Sequence, residues 1–199
     1  MESAPTCPVQ ELALTQGIVR ARSLAELGVS GATLQQILRK GGLIRIGRGL
    51  YASPDRTVTE LDHLAQIAIK HPRVVFCLLT ALQVHGLTTQ SPSEVWVAIS
   101  PKARVPKYDF PPLRIVRMSD PGDGITQVAV DGVVHIPVTS IAKTIADCFK
   151  FRNKIGLDVA LEALRDAWNQ KRVTMDELWE SAEICRMTNV MRPYLESLV

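Results

Sequence analysis

The sequence predicts an α+β protein in which an N-terminal winged helix-turn-helix precedes a larger mixed α/β domain with a small, mainly antiparallel sheet and C-terminal helices. Between Ser23 and Pro54, a short helix, a turn, a second helix and a glycine-centred β-ribbon follow one another, which is the order of that motif. Four strand-like runs and then several amphipathic stretches occupy the rest of the chain. We therefore expect a winged helix-turn-helix DNA-binding domain over residues 1–56 and a mixed α/β effector domain over residues 57–199.

Composition excludes several classes of protein. The chain has 199 residues, of which 46% are hydrophobic, so both domains can bury a core. It contains no apolar run of about 20 residues, which a membrane span requires, and its first ten residues lack the pattern of a signal peptide. We expect a cytoplasmic protein without a membrane partner.

The four cysteines stand at positions 7, 77, 148 and 185, too far apart for a metal-binding or redox pair. We expect Cys77 and Cys148 to be core residues.

The positive charge is concentrated at the N-terminus. Residues 1–57 hold seven basic and four acidic side chains, whereas the other 142 residues hold 16 of each. Between Gln16 and Ala52 there are six basic side chains and one acidic one. This distribution predicts a polyanionic partner for the N-terminal domain.

The first elements are predicted from apolar spacing and caps. Residues 1–8 form a tail that we expect to be frayed, and a helix lies within Val9–Ala21, with Leu12, Leu14, Ile18 and Val19 buried. Ser23 caps a second helix in a capping box with Glu26, and Leu27 faces inward. Gly28 ends this helix because glycine enters the left-handed conformation at little cost.

The candidate recognition helix is Gly31–Lys40, with Ser30 as its N-cap. Leu34, Ile37 and Leu38 fall on one face, which leaves polar and basic side chains on the other. Glutamine can bond an adenine edge and basic side chains can hold phosphates, although a solvated helix face has the same composition.

A small β-ribbon follows this helix. Leu43–Ile46 and Leu50–Ser53 read as two strands, joined by Gly47-Arg48-Gly49. Arg45 and Arg48 project outward, so that Arg48 at the turn can meet a phosphate or a minor groove. The candidate DNA-binding residues are Ser30, Thr33, Gln35, Gln36, Arg39, Lys40, Arg45 and Arg48.

The second domain is predicted to begin with a linking helix over Thr57–Lys70, with Val58 among its buried positions. A short helix, Leu79–His85, ends at Gly86, and His85 is expected to pack or cap rather than to catalyse. The predicted strands are Val95–Ser100, Leu113–Met118, Thr126–Val130 and Val133–Val138, the last two joined at Asp131-Gly132.

Helices complete the predicted second domain. The first runs from Ser140 to about Lys150, with Thr139 as its cap, Lys143 outward and Asp147 as a structural hydrogen-bond partner. The others are Leu157–Gln170, a helix capped by a Thr174–Glu177 capping box, and Val190–Leu198, which Pro193 can enter only near its first turn.

A proline-rich loop between the first two strands carries Lys102, Arg104 and Lys107. Loops concentrate such residues at solvated surfaces. The alternative is a second contact with nucleic acid or with another partner.

Motifs of common enzymes are absent from the sequence. It contains no G-x-S-x-G elbow, phosphate-binding loop, H-E-x-x-H or dinucleotide fingerprint. The histidines at 63, 71, 85 and 135 lack metal-ligand spacing. We therefore predict no catalytic residues, no metal and no cofactor.

The pattern R-x-L-x-x-x-G-V-S-x-x-x-L-x-x-[LI]-L-R-x-G-x-L-x-R-x-G-R-G-x-Y, from Arg22 to Tyr51, resembles the N-terminal domain of AbiEi-type antitoxins of bacterial type IV toxin-antitoxin systems. The segments Leu78–Leu87, Val95–Ser100 and Val138–Phe149 resemble the second domain of that family. The resemblance extends from about Val9 to about Ala182.

This resemblance implies a sequence-specific repressor that binds inverted repeats in its own promoter. It also implies that the protein counters a nucleotidyltransferase-like toxin without forming a stable complex with it. Two alternatives remain: a protein-interaction module with a winged-helix fold, and a stand-alone regulator that has no toxin. No heptad pattern indicates a dimer, and two monomers cooperating on DNA can fill a two-fold site.

Overall fold

The computed structural model describes residues 8–198, and the chain folds as two compact units. The first unit contains the described residues up to Pro72 together with Val128–Ile136. The second contains Arg73–Gln127 and the described residues from Pro137 onward. A domain boundary at residue 56 stays a prediction, and the expected frayed tail lies outside the described residues except for Pro8.

The first unit consists of helices around a small antiparallel sheet, whose strand order is β1-β3-β2. Its core contains Val9, Val19, Leu24, Leu43 and Tyr51, against which Leu34, Ile37 and Leu38 pack. In chain order, its elements before the second unit begins are α1 (Pro8–Gln16), β1 (Ile18–Arg20), α2 (Ala21–Glu26), α3 (Gly31–Arg39), β2 (Ile44–Gly47), β3 (Leu50–Ala52) and α4 (Asp62–Lys70).

Strand β1 replaces the end of the predicted first helix. Gly17 has a φ of +66°, which ends α1 at Gln16. A Cβ atom at Gly17 would lie 2.7 Å from Cγ2 of Val134, so only glycine fits this backbone. Ile18 and Val19 are buried as predicted, but in a strand paired with β3 rather than in a helix. Leu14, predicted to be buried, is exposed.

Helix α2 begins two residues before the predicted cap. Arg20 is its N-cap and no side chain bonds there, so the capping box of Ser23 and Glu26 is wrong. Glu26 instead accepts from Arg22 Nε at 3.1 Å. Leu27, predicted inward, is exposed. Gly28 ends the helix as predicted, with a φ of +79°.

The second unit contains most of a mixed sheet of five strands, whose order is β6-β5-β4-β8-β7. In chain order, the remaining elements are β4 (Val75–Phe76), α5 (Leu78–Val84), β5 (Val95–Ile99), β6 (Leu113–Arg117), β7 (Ile125–Ala129), β8 (His135–Thr139), α6 (Ile141–Lys150), α7 (Arg152–Ile155), α8 (Leu157–Asn169), α9 (Met175–Ile184) and α10 (Thr188–Glu196). Helices α6, α8, α9 and α10 pack together in its core, around Phe149, Leu164 and Leu178.

The predicted mainly antiparallel sheet is wrong. Strand β5 pairs with β6 in parallel, and β4 pairs with β8 in parallel, whereas β4 and β5 are antiparallel. The two-residue strand β4 lies at the centre of the strand order. Because it joins β5 to β8, strands β6 and β7, which follow one another in sequence, lie at opposite edges of the sheet.

Three helical predictions in the second half of the chain need correction. Ser140, not Thr139, caps α6 by accepting from the Lys143 amide, while the Thr139 hydroxyl bonds that of Thr144 at 2.6 Å. Lys143, predicted to point outward, is buried. Helix α10 begins at Thr188, so Pro193 lies inside it rather than in its first turn. The capping box of Thr174 and Glu177 on α9 is confirmed.

The predicted linking helix is shorter than expected. Helix α4 begins only at Asp62, whose carboxylate accepts from the Thr59 amide at 3.0 Å, and Val58 is exposed. This helix lies in the first unit and packs against β1.

Candidate nucleic-acid interface

Helix α3 begins with a side-chain cap. Ser30 Oγ accepts from the Thr33 amide at 3.1 Å and lies 2.9 Å from the Thr33 hydroxyl. The predicted N-cap is therefore confirmed. Both side chains are exposed, and the hydrogen bonds between these two residues fix the first turn of the helix. A hydroxyl of either residue that contacts a ligand must therefore also serve in the cap.

The outer face of α3 is a continuous polar surface. Because successive residues are about 100° apart on a helix, Gln36 lies near the centre of this face, one turn after Ala32 and one turn before Arg39 and Lys40. Within residues 8–198, the side chains of Gln35, Gln36, Arg39 and Lys40 make no ion pair or hydrogen bond. They are all exposed and available to a ligand.

The end of α3 is fixed by two glycines. The Gly42 amide donates to the Ile37 carbonyl at 3.0 Å, and the Gly41 amide donates to the Leu38 carbonyl at 3.1 Å. These two bonds form a Schellman motif, and Gly41 takes the left-handed conformation with a φ of +72°. The chain therefore leaves α3 in a defined direction and enters the β2–β3 hairpin after only a few residues.

The β2–β3 hairpin presents two arginines. Arg48 stands in the turn, next to Gly49 with a φ of +72°, and its exposed guanidinium has no partner among the described residues. Arg45 is also exposed, but its Nε donates to the Gly47 carbonyl at 3.3 Å, across an irregularity in the β2–β3 register. Arg45 is thus held along the hairpin, whereas Arg48 projects from its tip.

A buried cluster of charged side chains lies in the first unit. Arg56 Nε bonds Asp131 Oδ2 at 2.5 Å, and its Nη1 and Nη2 bond Asp62 at 2.5 and 3.1 Å. Burial by itself raises the pKa of Asp62 and Asp131, because it disfavours the charged carboxylate. Hydrogen bonds to each carboxylate, including those from Arg56, outweigh burial, so that both pKa values are lowered. This cluster joins the segment after β3 to the residues 128–136 of the same unit.

Sequence reasoning overlooked two positions near α3. Arg22 is exposed in the first turn of α2, although it pairs with Glu26. Ala32 is exposed on the same face of α3 as Gln36, where a small side chain lets the backbone approach a ligand. The sequence shows Arg22 as part of the positive charge of this region. Its place in the first turn of a helix follows only from the residue at which α2 begins.

The predicted second contact lies in the second unit. Lys102, Arg104 and Lys107 are exposed in the loop between β5 and β6. A role for them in binding stays a prediction.

Asp147 has the structural role that was predicted. Its carboxylate accepts from Lys143 Nζ at 2.6 Å and from the thiol of Cys185 at 3.2 Å. Burial alone lowers the pKa of Lys143, but the Asp147 carboxylate outweighs burial and raises it. Burial, followed by the charge of Asp147, raises the pKa of Cys185 to about 12. The cluster is therefore a buried ion pair beside an inert thiol.

The other predicted core residues have similar surroundings. Cys77 and Cys148 are free and buried, and burial raises the pKa of both thiols. His85 is buried, and its Nε2 donates to the Thr139 carbonyl at 2.7 Å, so that the predicted packing role is confirmed. Among residues 8–198, acidic, histidine and cysteine side chains form no group of three that could hold a metal ion.

Comparison with known families identifies the N-terminal part of the chain. Residues 10–90 match a family model described as a transcriptional regulator, the AbiEi antitoxin N-terminal domain. Residues 10–90 belong to the AbiEi antitoxin N-terminal domain family. This AbiEi segment contains α3 and the β2–β3 hairpin and ends shortly after α5.

The matching family model is described as a transcriptional regulator. A search of curated proteins found no match to the chain. None of the helices in the described range is both long and apolar enough to span a membrane.

Proposed function

We propose that this protein is a transcriptional repressor whose first unit is a winged helix-turn-helix that reads double-stranded DNA. Helix α3 is the recognition helix and the β2–β3 hairpin is the wing. The observation that carries the proposal is the outer face of α3, where Gln35, Gln36, Arg39 and Lys40 are exposed without side-chain partners in the described structure.

Each side chain on this face suits a different part of a DNA site. Gln36, at the centre of the face, can accept and donate two hydrogen bonds to an adenine edge. Arg39 and Lys40, one turn later, are placed for phosphates on either side of the groove. Arg48 at the hairpin tip is placed for a phosphate or a narrow minor groove.

The charge of the unit supports the same partner. Six basic side chains and one acidic side chain lie between Gln16 and Ala52. Such a local excess attracts a polyanion and is expected to make binding steeply dependent on salt.

The operator is proposed to be an inverted repeat in the protein's own promoter, as the resemblance to AbiEi antitoxins implies. Two copies of the chain would occupy its two halves, and the bound protein would occlude the promoter. Repression then follows from binding alone.

The second unit is proposed to act as an antitoxin against a nucleotidyltransferase-like toxin, without a stable complex. Of the segments predicted to resemble the family's second domain, Leu78–Leu87 falls within the N-terminal family match, whereas the other two form β5 and the β8–α6 connection. Because most of these side chains are buried, they maintain the fold, and the antitoxin surface must be formed by other residues.

Fluorescence anisotropy with labelled duplexes tests the DNA-binding proposal. The full chain is titrated with its own upstream DNA and with a shuffled duplex, at several salt concentrations. Gln36→Ala is expected to lose preference for the upstream sequence by about 1–3 kcal/mol. Arg48→Ala is expected to weaken binding to both duplexes and to reduce the salt dependence.

Two matched substitutions serve as controls. Gln83→Ala removes an exposed helical glutamine from α5, and Arg165→Ala removes an exposed arginine from α8. Both should leave DNA binding unchanged. Absence of binding to the upstream duplex at low salt would refute the repressor, and binding to a protein that survives Arg45→Ala and Arg48→Ala would favour an interaction module.

A further inference from the structure

The second unit contains a segment rich in basic side chains, although the net charge of this part of the chain is zero. Residues 57–199 hold 16 basic and 16 acidic side chains, but residues 101–117 hold five basic side chains and only Asp109 as an acid. The five are Lys102, Arg104, Lys107, Arg114 and Arg117. The rest of this region is therefore net acidic, with 11 basic and 15 acidic side chains.

This segment comprises the loop of residues 101–112, here named the basic loop, and strand β6. Strand β6 stands at one edge of the sheet and pairs in parallel with β5, from Val95 with Leu113 to Ile99 with Arg117. The parallel pairing requires the loop to return along the length of both strands. The basic loop is therefore a crossover connection rather than a tight turn.

The basic loop is fixed at both ends. At its start, Arg117 Nη1 donates to the carbonyl of Ser100 at 3.2 Å, to that of Ala103 at 3.1 Å and also to that of Pro101. At its end, the Val95 amide donates to the Pro112 carbonyl at 2.9 Å. Four prolines in the loop reduce its freedom further. A ligand that binds here therefore has less loop entropy to overcome.

The charges divide into those that build the loop and those that face solvent. Arg117 holds the carbonyls, while Arg114 lies over the ring of Trp96 and 3.7 Å from Glu94. Lys102 and Arg104 are exposed and have no ion pair or hydrogen bond within residues 8–198.

The same loop carries an exposed aromatic ring. Phe110 is 82% exposed, and Val105 is 46% exposed in the same loop. Burying a phenylalanine side chain is worth roughly 1.5–3 kcal/mol, so a ring presented to water on a fixed loop is available for a ligand. Bases of single-stranded nucleic acid stack on exposed aromatic rings while cations hold their phosphates.

We propose that the basic loop binds single-stranded nucleic acid, with Phe110 stacking on a base and Lys102 and Arg104 holding phosphates. Duplex DNA fits this loop poorly, because paired bases are not free to stack and the loop offers neither a helix nor a β-ribbon for a groove. This site is separate in sequence from helix α3 and does not depend on the repressor function. DNA and RNA strands share the required chemistry, and the experiment distinguishes them.

Fluorescence anisotropy of the full chain with labelled oligonucleotides of about 12 nucleotides tests the proposal, since such sites cover about 4–16 nucleotides. The probes are oligo(dT), oligo(U) and a duplex of the same length. All measurements are repeated in an Arg45→Ala, Arg48→Ala background, which weakens the proposed duplex site in the first unit. Single-strand binding is expected to remain in that background.

Substitutions at Phe110 separate stacking from simple attraction. Phe110→Ala and Phe110→Leu are expected to weaken single-strand binding by roughly 5- to 100-fold, whereas Phe110→Trp should preserve it and add a fluorescence change on binding. The ring is exposed, so these variants should melt at the temperature of the parent protein. If Phe110→Leu binds as tightly as the parent, the stacking role is refuted.

Substitutions of charge test the phosphate contacts. Lys102→Ala combined with Arg104→Ala should lower the slope of log affinity against log salt by about 1.4, since each phosphate contact contributes about 0.7. The control, Lys150→Ala combined with Arg165→Ala, removes two exposed cations elsewhere in the unit and should leave the slope unchanged. The proposal is overturned if no single strand binds, if both charge variants behave alike, or if the loop variants affect only the duplex.

Discussion

Replacing Arg56 tests whether the proposed DNA-binding unit depends on residues 128–136 for its stability. The side chains of Arg56, Asp62 and Asp131 are 6%, 14% and 3% exposed, so the cluster is largely removed from water. Arg56→Ala would leave two buried carboxylates without their shared cation. Removing one partner of a buried ion pair costs about 3–5 kcal/mol, and this substitution should fall at the upper end.

Substitutions of Asp131 should cost less and should divide its two roles. Asp131→Asn removes the charge but leaves an oxygen that can accept from the amides of Val133 and Val134, which Asp131 Oδ1 now binds at 3.0 and 2.7 Å. Asp131→Ala removes both functions. Arg56 retains Asp62 in either variant, so we expect the order of destabilisation to be Arg56→Ala, then Asp131→Ala, then Asp131→Asn.

Hydrogen exchange measured by mass spectrometry reports on the first unit directly. A loss of about 3 kcal/mol makes exchange about 100-fold faster wherever the amides open with the unit, and the peptides to follow contain β1 and β3. All three tryptophans, at 96, 168 and 179, lie in the second unit, so tryptophan fluorescence provides an internal control. Unchanged exchange in β1 and β3 of Arg56→Ala would refute the stabilising role.

The same structure makes further predictions. Asp62 and Asp131 have pKa values below their ordinary range near 4, so their stabilisation of the first unit should be complete above about pH 4 and lost as the pH falls below it. Hydrogen exchange at several acidic pH values measures this loss of stability. The prediction is contradicted if the parent protein loses no more stability on acidification than Asp131→Asn does. Asp147→Ala should destabilise the second unit by about 3–5 kcal/mol, as measured by tryptophan fluorescence during unfolding in urea. The double substitution Lys143→Met, Asp147→Leu removes both charges and should cost less. If both variants lose the same free energy of unfolding, the unpaired buried charge is not the cause. Arg186 has a φ of +58°, so Arg186→Gly should stabilise the protein by about 0.5–1 kcal/mol. A lower melting temperature of this variant would show that the contacts of the arginine side chain outweigh the strain of its backbone.

The sequence was most informative where local chemistry determines local structure. The Ser30 cap, the outer face of α3, the β2–β3 hairpin and the Thr174–Glu177 capping box all depend on residues within a few positions of one another. Their outcomes followed the predictions because caps, glycines and apolar spacing act within one or two turns of a helix.

Several other predictions failed where a distant segment decides the outcome, whereas the Ser23–Glu26 capping box and the Thr139 cap failed because the helices begin at other residues. Lys143 lies on what helical spacing alone identifies as an outer face, but Gly124 approaches its side chain and Cys185 of the helix α9 cap meets the same cluster. Gly17 ends α1 partly because Val134 leaves no room for a Cβ atom. The parallel pairs in the sheet depend on β4, which has only two residues and no periodicity of its own.

The most direct test of the repressor is a comparison of two affinities of the full chain, for its own upstream duplex and for a shuffled duplex of the same composition, in the parent protein and in Gln36→Ala. If the outer face of α3 reads bases, the parent prefers the upstream duplex, and Gln36→Ala reduces that preference while its binding to the shuffled duplex stays the same. If the parent binds both duplexes equally, or if Gln36→Ala keeps the full preference, this face does not read the operator.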